Sequence, residues 1–159
     1  MNSCVFPGSF DPVTNGHLDL IRRIAERFDR VTVTVMVNMR KQGAFTPDER
    51  TALLKKACAG MENVRVDRWD GLLADYMRNN HENCVIRGVR NAGEYETEAL
   101  AAEANRILFP GMETLLLPAS EGYACISSST LKEIAAFGGE IGAFVPDCVA
   151  EEIRERLTK

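Results

Sequence analysis

Four short segments of this chain carry residue types suited to holding phosphate. The first is Pro7-Gly8-Ser9-Phe10-Asp11-Pro12-Val13-Thr14-Asn15-Gly16-His17. Gly8 suits a tight turn and close approach of backbone to a ligand. Ser9 adds a hydroxyl and a backbone N–H. Thr14 or Asn15 can cap a following helix, which puts His17 in its first turn. There the free N–H groups and the positive helix end favour an anion, and an imidazole can aim a ring N–H at a phosphate oxygen. The second segment, Asn38 to Phe45, holds the adjacent cations Arg40 and Lys41. The third is Ile86-Arg87-Gly88-Val89-Arg90, two arginines flanking a glycine. A guanidinium fork matches phosphate in bidentate fashion. The fourth, Tyr123-Ala124-Cys125-Ile126-Ser127-Ser128-Ser129-Thr130-Leu131-Lys132, has four hydroxyls in a row. One caps a helix, and the surplus can line a phosphate site.

Taken singly, each segment also fits a plainer role as turn glycines, a solvated cationic loop or a helix cap. Their agreement depends on the elements that must position them. Asn2 to Phe6 reads as a strand, and Leu18, Ile21, Ala25 and Phe28 keep helical spacing. Val31 to Val37 is a nearly unbroken β-branched run, the pattern of a strand buried on both faces. Thr46-Pro47-Asp48-Glu49 is a capping box with Pro in the first turn, opening a helix to about Ala59. Asn63 to Asp67 is a short strand, and Leu72 to Arg78 a short helix. Cys84 to Ile86 is the next strand, ending at Arg87. A helix from about Asn91 to Leu108 and a strand from Thr114 to Leu117 follow. Helices over Ser127 to Phe137 and Pro146 to Leu157 complete the chain.

Five strands alternating with helices predict an α/β fold: a single Rossmann-like, doubly wound domain over residues 1–159, with a five-stranded parallel sheet and helices on both faces. In such sheets ligands bind beyond the carboxyl ends of the strands, where strand order reverses. All four segments follow strands and so converge on that edge. Neither a GxGxxG fingerprint nor a P-loop is present. No carboxylate pair, Cys–His pair or Ser–His–Asp set competes for the edge. Asp11, before Pro12, reads as a turn residue, and the sequence names no protein ligand to a metal.

Composition narrows the class. Nineteen basic and 23 acidic residues give a net charge of −4, unsuited to coating nucleic acid. No apolar run approaches the ~18 residues that cross a bilayer, and no membrane association is expected. The five cysteines are odd in number and lack CxxC spacing, which argues against a disulfide framework or zinc ribbon and for small apolar residues in a reducing cytosol.

With PGSFDPVTNGH, Phe45-Thr46-Pro47-Asp48-Glu49-Arg50, IRGVR with the acidic helix after it, and ISSSTLK, the chain resembles the HxGH nucleotidyltransferase superfamily. Within it the resemblance is to the bacterial phosphopantetheine adenylyltransferases, from Val5 to about Pro146. Thr14 stands where the superfamily name has its first histidine, a departure common in that branch. The resemblance implies transfer of AMP from ATP to 4′-phosphopantetheine, with Mg²⁺ carried mainly on the nucleotide phosphates. It also implies a homohexamer, and coenzyme A is a possible feedback ligand. His17 and Lys41 are the implied catalytic residues. Ser9, Lys41, Leu73 and Arg87 are implied at the acceptor. Ser9, Phe10, His17, Gly88, Val89, Arg90, Glu98 and Tyr123, Ala124, Cys125, Ile126, Ser127, Ser128 and Ser129 are implied at ATP. A nicotinamide-mononucleotide adenylyltransferase or a cytidylyltransferase would use similar donors, but Thr14, IRGVR and ISSSTLK argue against both.

Overall fold

A computed structural model describes residues 2–37 and 42–158. In chain order the elements are β1 (Ser3–Gly8), α1 (Asn15–Ala25), β2 (Arg30–Met36), α2 (Pro47–Ala57), β3 (Val64–Trp69), α3 (Leu73–Asn79), β4 (Cys84–Val89), α4 (Ala92–Leu108), β5 (Glu113–Pro118), α5 (Ser128–Ala136) and α6 (Asp147–Leu157). The five strands form one parallel sheet in the order β3-β2-β1-β4-β5. Strand order therefore reverses between β1 and β4, the expected arrangement.

Strand alternation sorts the core into two layers. Cys4 and Phe6 of β1 and Val31, Val33 and Val35 of β2 pack with Leu18, Ile21 and Ile24 of α1, Leu53 and Leu54 of α2, Leu131 of α5, and Val149 and Ile153 of α6. Val5 and Val85 point the other way, onto Tyr76 and Met77 of α3 and Met112. That second layer is thin. Helix α4 buries no residue fully, and Tyr95, Leu100, Ile107 and Leu108 on it are exposed, as is Leu115 on the neighbouring edge strand. The box at Thr46 forms as expected: its hydroxyl accepts from Glu49 N–H, and its own N–H donates to Glu49 Oε2 at 2.8 Å.

Two strands run further than their composition suggests. β1 continues through Pro7 and Gly8, paired with Thr34 and Val35 of β2. β4 continues through Arg87, Gly88 and Val89, paired with Leu116, Leu117 and Pro118 of β5. These residues belong to the strands and not to the loops after them. Between β1 and β4 the register is a single pair, Val5 with Val85. Beyond it the strands part, and the Arg87 guanidinium donates to the Pro7 carbonyl across the gap. A residue's N–H and C=O leave a strand on the same side. The N–H that Pro7 lacks therefore falls at the open seam, where it costs no ladder bond.

Candidate active site

The opened seam is the floor of a cleft of about 560 Å³. The end of β1 and the turn after it supply Pro7, Gly8, Ser9 and Phe10. The first turns of α1 supply Gly16 and His17. β4 and the start of α4 supply Arg87, Gly88, Arg90, Asn91, Glu94, Thr97 and Glu98. Tyr123, Ile126 and Ser127 to Ser129 close the far side. The imidazole of His17 and the guanidinium of Arg87 thus face one cavity.

His17 is fixed by the start of its own helix. Thr14 is the N-cap, and its hydroxyl accepts from the His17 backbone N–H at 3.3 Å. In return the Thr14 N–H donates to His17 Nδ1 at 3.1 Å, and the Thr14 hydroxyl lies 3.1 Å from the same nitrogen. This is a capping box with histidine in the place usually held by Glu or Gln. Because Nδ1 accepts, the neutral ring carries its proton on Nε2. Burial, then the positive charges of Arg90 and Arg87, hold the imidazole pKa down at about 4. The group offered to the cleft at neutral pH is an uncharged Nε2–H donor. The edge of His17 meets the Phe10 ring at 5.0 Å between centroids.

Phe10 has a positive φ of 46°, an unusual conformation for a bulky residue. Its ring is buried beneath the turn, where a Cβ on Gly8 would lie 2.9 Å from Phe10 Cζ. Gly8 is therefore needed for the approach of Phe10. The expected approach of the Gly8 backbone to a ligand is not what requires a glycine there. Gly88 is similar: a Cβ there would overlap Cδ1 of Leu20. Arg50 of α2, itself buried, donates to the Ser9 carbonyl at 3.0 Å and fixes the turn from the other side.

Asp11 is more than a turn residue. Its carboxylate accepts from Phe45 N–H at 2.9 Å, Ala44 N–H at 3.0 Å and Lys132 Nζ at 3.1 Å. Burial pushes its pKa up, but these three donors outweigh it and hold the carboxyl below its ordinary value. The clamp joins the turn after β1, the loop before α2, and α5. At α5, Ser127 caps the helix by accepting from Thr130 N–H, and Ser128 Oγ donates to the Pro12 carbonyl at 2.8 Å. Ser129 lines the cleft without a hydroxyl partner among the described residues.

Both cleft arginines are held by carboxylates of α4. Arg87 donates through Nε to Glu98 Oε2 at 2.8 Å and through NH2 to Glu98 Oε1 at 2.6 Å. Arg90 makes the same fork with Glu94, one turn earlier on the helix. The site therefore contains its own counter-anions, a feature the four phosphate-suited segments did not disclose.

Known proteins resemble this chain in sequence and in fold. The Cytidylyltransferase-like family matches residues 5–134. A phosphopantetheine adenylyltransferase of Clostridium perfringens is 44% identical over 154 residues, covering 97% of this chain and 94% of its own. Those of Caldanaerobacter subterraneus and Deinococcus radiodurans are 43% and 44% identical over 159 residues, each covering at least 99% of this chain and 95% of their own. The chain belongs to the phosphopantetheine adenylyltransferase family. It is a nucleotidyltransferase. A crystal structure assigned to a nicotinate-nucleotide adenylyltransferase of Vibrio parahaemolyticus superposes with a TM-score of 0.66 at 17% identity, covering 99% of this chain and 96% of its own. That likeness concerns the fold.

Of the residues that resemblance to the phosphopantetheine adenylyltransferases singled out, Ser9, Phe10, His17, Arg87, Gly88, Arg90, Glu98, Tyr123, Ile126, Ser127, Ser128 and Ser129 line the cleft. Val89, Ala124 and Cys125 do not; Val89 is buried in β4 and Cys125 is exposed. Leu73 also lies off the cleft, packed at the start of α3 against the second core layer. Lys41 lies outside the described residues. Glu94, Asn91 and Thr97 join the lining without having been singled out. Glu94 had one local signal, its spacing of four residues from Arg90. Two cysteines depart from the apolar expectation: Cys125 and Cys148 are exposed, whereas Cys4 and Cys58 are buried.

Proposed function

We infer that this chain transfers the adenylyl group of ATP to 4′-phosphopantetheine, releasing pyrophosphate and forming dephospho-coenzyme A. An oxygen of the acceptor phosphate attacks the α-phosphorus, and the bond to the pyrophosphate oxygen breaks. The acceptor phosphate is already ionised, so no general base is required. The task is alignment of two anions and stabilisation of charge developing on the α-phosphate. The observation that carries the reading is the neutral, tautomer-fixed His17 on the same cleft as Arg87 and Arg90, at the strand-order reversal.

His17 Nε2–H donates to the α-phosphate. Arg87, with Lys41, receives the acceptor phosphate beside Ser9. Arg90, Ser127 to Ser129 and the first turn of α5 receive the nucleotide phosphates. Among the described residues no three carboxylate, histidine or cysteine side chains converge on a metal position. Mg²⁺ enters as part of the substrate, on the nucleotide phosphates, where it offsets their charge, as the resemblance to the phosphopantetheine adenylyltransferases implies. The whole chain, α6 included, works as one domain in the cytoplasm; no helix among the described residues is long and apolar enough to cross a membrane. The exposed apolar residues of α4 and Leu115 suit a subunit interface, in keeping with a homohexamer. Coenzyme A, which shares the acceptor's body, competes for the acceptor arm.

Incubation with ATP, Mg²⁺ and 4′-phosphopantetheine, read by product mass and pyrophosphate release, tests the assignment. Dephospho-coenzyme A in step with pyrophosphate is the expected result. Pyrophosphate release only with nicotinate or nicotinamide mononucleotide would replace the acceptor.

A further inference from the structure

Arg90 is engaged by its own chain on every side. Its backbone N–H donates to Glu94 Oε2 at 2.9 Å, its Nε donates to the same oxygen at 3.2 Å, and its NH2 reaches Glu94 Oε1. Its remaining arm points to the Ile126 carbonyl at 3.5 Å, in the hydroxyl-bearing segment across the cleft. Glu94 stands in the first turn of α4, a helix of 17 residues, with Asn91 as N-cap. A carboxylate gripped by a guanidinium fork at a positive helix end reproduces the charge arrangement of a bound phosphate.

The two arginine–carboxylate pairs differ in how readily they exchange. Glu98 is 19% exposed and its partner Arg87 is also tied to Pro7. Glu94 and Arg90 are 30% and 32% exposed. The Glu94 carboxylate can therefore swing to water without leaving a buried charge unpaired, which a more enclosed carboxylate cannot do cheaply. A phosphate arriving on Arg90 while Glu94 stays would put two anions on one guanidinium.

We propose that the Glu94 carboxylate is an internal surrogate for phosphate: it holds Arg90 before the nucleotide binds, yields it to the nucleotide's phosphates, and reclaims it as pyrophosphate leaves. The proposal rests on the adenylyl-transfer reading of the cleft. It gives Glu94 a positioning role with an unusual sign. The residue keeps Arg90 in place yet weakens ligand binding, because each arriving phosphate must displace it. Release of pyrophosphate is favoured to the same extent.

The test is calorimetric titration of the full chain and of Glu94→Gln and Glu94→Ala with pyrophosphate and with Mg-ATP. Both variants are expected to bind pyrophosphate about two- to fivefold tighter, the scale of losing one partly exposed competing charge. Product inhibition by pyrophosphate should strengthen in parallel, with the KM for the acceptor nearly constant. Equal or weaker binding in the variants overturns the proposal, since Glu94 would then only hold Arg90 in place. Should the unaltered protein bind neither pyrophosphate nor Mg-ATP, the adenylyl-transfer reading itself fails, and the two failures are thus told apart. Melting temperatures of both variants check that the fold persists.

Discussion

Replacing His17 tests the centre of the mechanism. The ring has one proton to offer, on Nε2, because Nδ1 accepts from the Thr14 N–H at 3.1 Å. It is neutral, with a pKa of about 4. Removing one fixed donor to developing oxyanion charge costs ~2.7–4 kcal/mol, or ~10²–10³ in turnover. His17→Ala should lose that factor in kcat, measured by pyrophosphate release with both substrates saturating, while the Kd for ATP moves little. His17→Gln, which still presents an N–H at similar reach, should recover part of it. The pH profile gives a second readout. At pH 6 a group with pKa near 4 is about 99% neutral, so His17 contributes no ionisation between pH 6 and 8. Since the folded pKa lies below the ordinary 6.5, folding favours the neutral ring. The associated stability is complete above about pH 6.5 and declines as pH falls towards 4. A near-normal rate in the Ala variant, or an ionisation near 6.5 in kcat that disappears in His17→Gln, would refute the assignment.

Arg87→Ala should raise the acceptor KM by about 10–100-fold, the worth of charge-assisted bonds to a phosphate, and leave ATP affinity nearly unchanged; a change in ATP affinity alone would reassign the residue. Asp11→Asn should cost ~1–3 kcal/mol in chemical unfolding at pH 7 through the weakened Lys132, Ala44 and Phe45 clamp. Because the Asp11 pKa is lowered on folding, its contribution is present above the ordinary carboxylate pKa and fades as pH falls through the folded one. The variant's deficit should therefore shrink in acid, and a deficit that grows there would contradict the clamp. Gly88→Ala should destabilise by ~1–3 kcal/mol through overlap with Leu20, and Leu20→Val in the same chain should restore part of the loss in melting temperature.

Much of this architecture is legible in local residue chemistry. The β-branched run of β2, the box at Thr46 and the alternation of strands and helices each act over a few residues, and all three appear as expected. Residues whose behaviour depends on distant partners are harder to read. Pro7 and Gly8 look like a turn, yet both extend β1, because the seam to β4 excuses the missing N–H and the Phe10 ring needs the bare glycine. Arg87 looks like the first residue after a strand, but its ladder to Leu116 holds it inside β4. Arg50 sits within a motif whose visible purpose is to start a helix. Its grip on the Ser9 carbonyl emerges only when α2 meets the turn after β1. In the acidic helix after IRGVR, only the spacing of Glu94 from Arg90 hints at which carboxylate will claim which arginine; the Arg87–Glu98 fork emerges from the packing of α4 beside β4.

The capping box at Thr14 makes one pair of hydrogen bonds serve two purposes. Protonating the ring turns Nδ1 from an acceptor into a donor, which sets it against the Thr14 N–H and undoes half of the box. Acid therefore loosens the opening turn of α1 through the same nitrogen that fixes the donor in the cleft. The amino end of that helix and the aim of the catalytic proton are one piece of structure, so neither can be altered without the other.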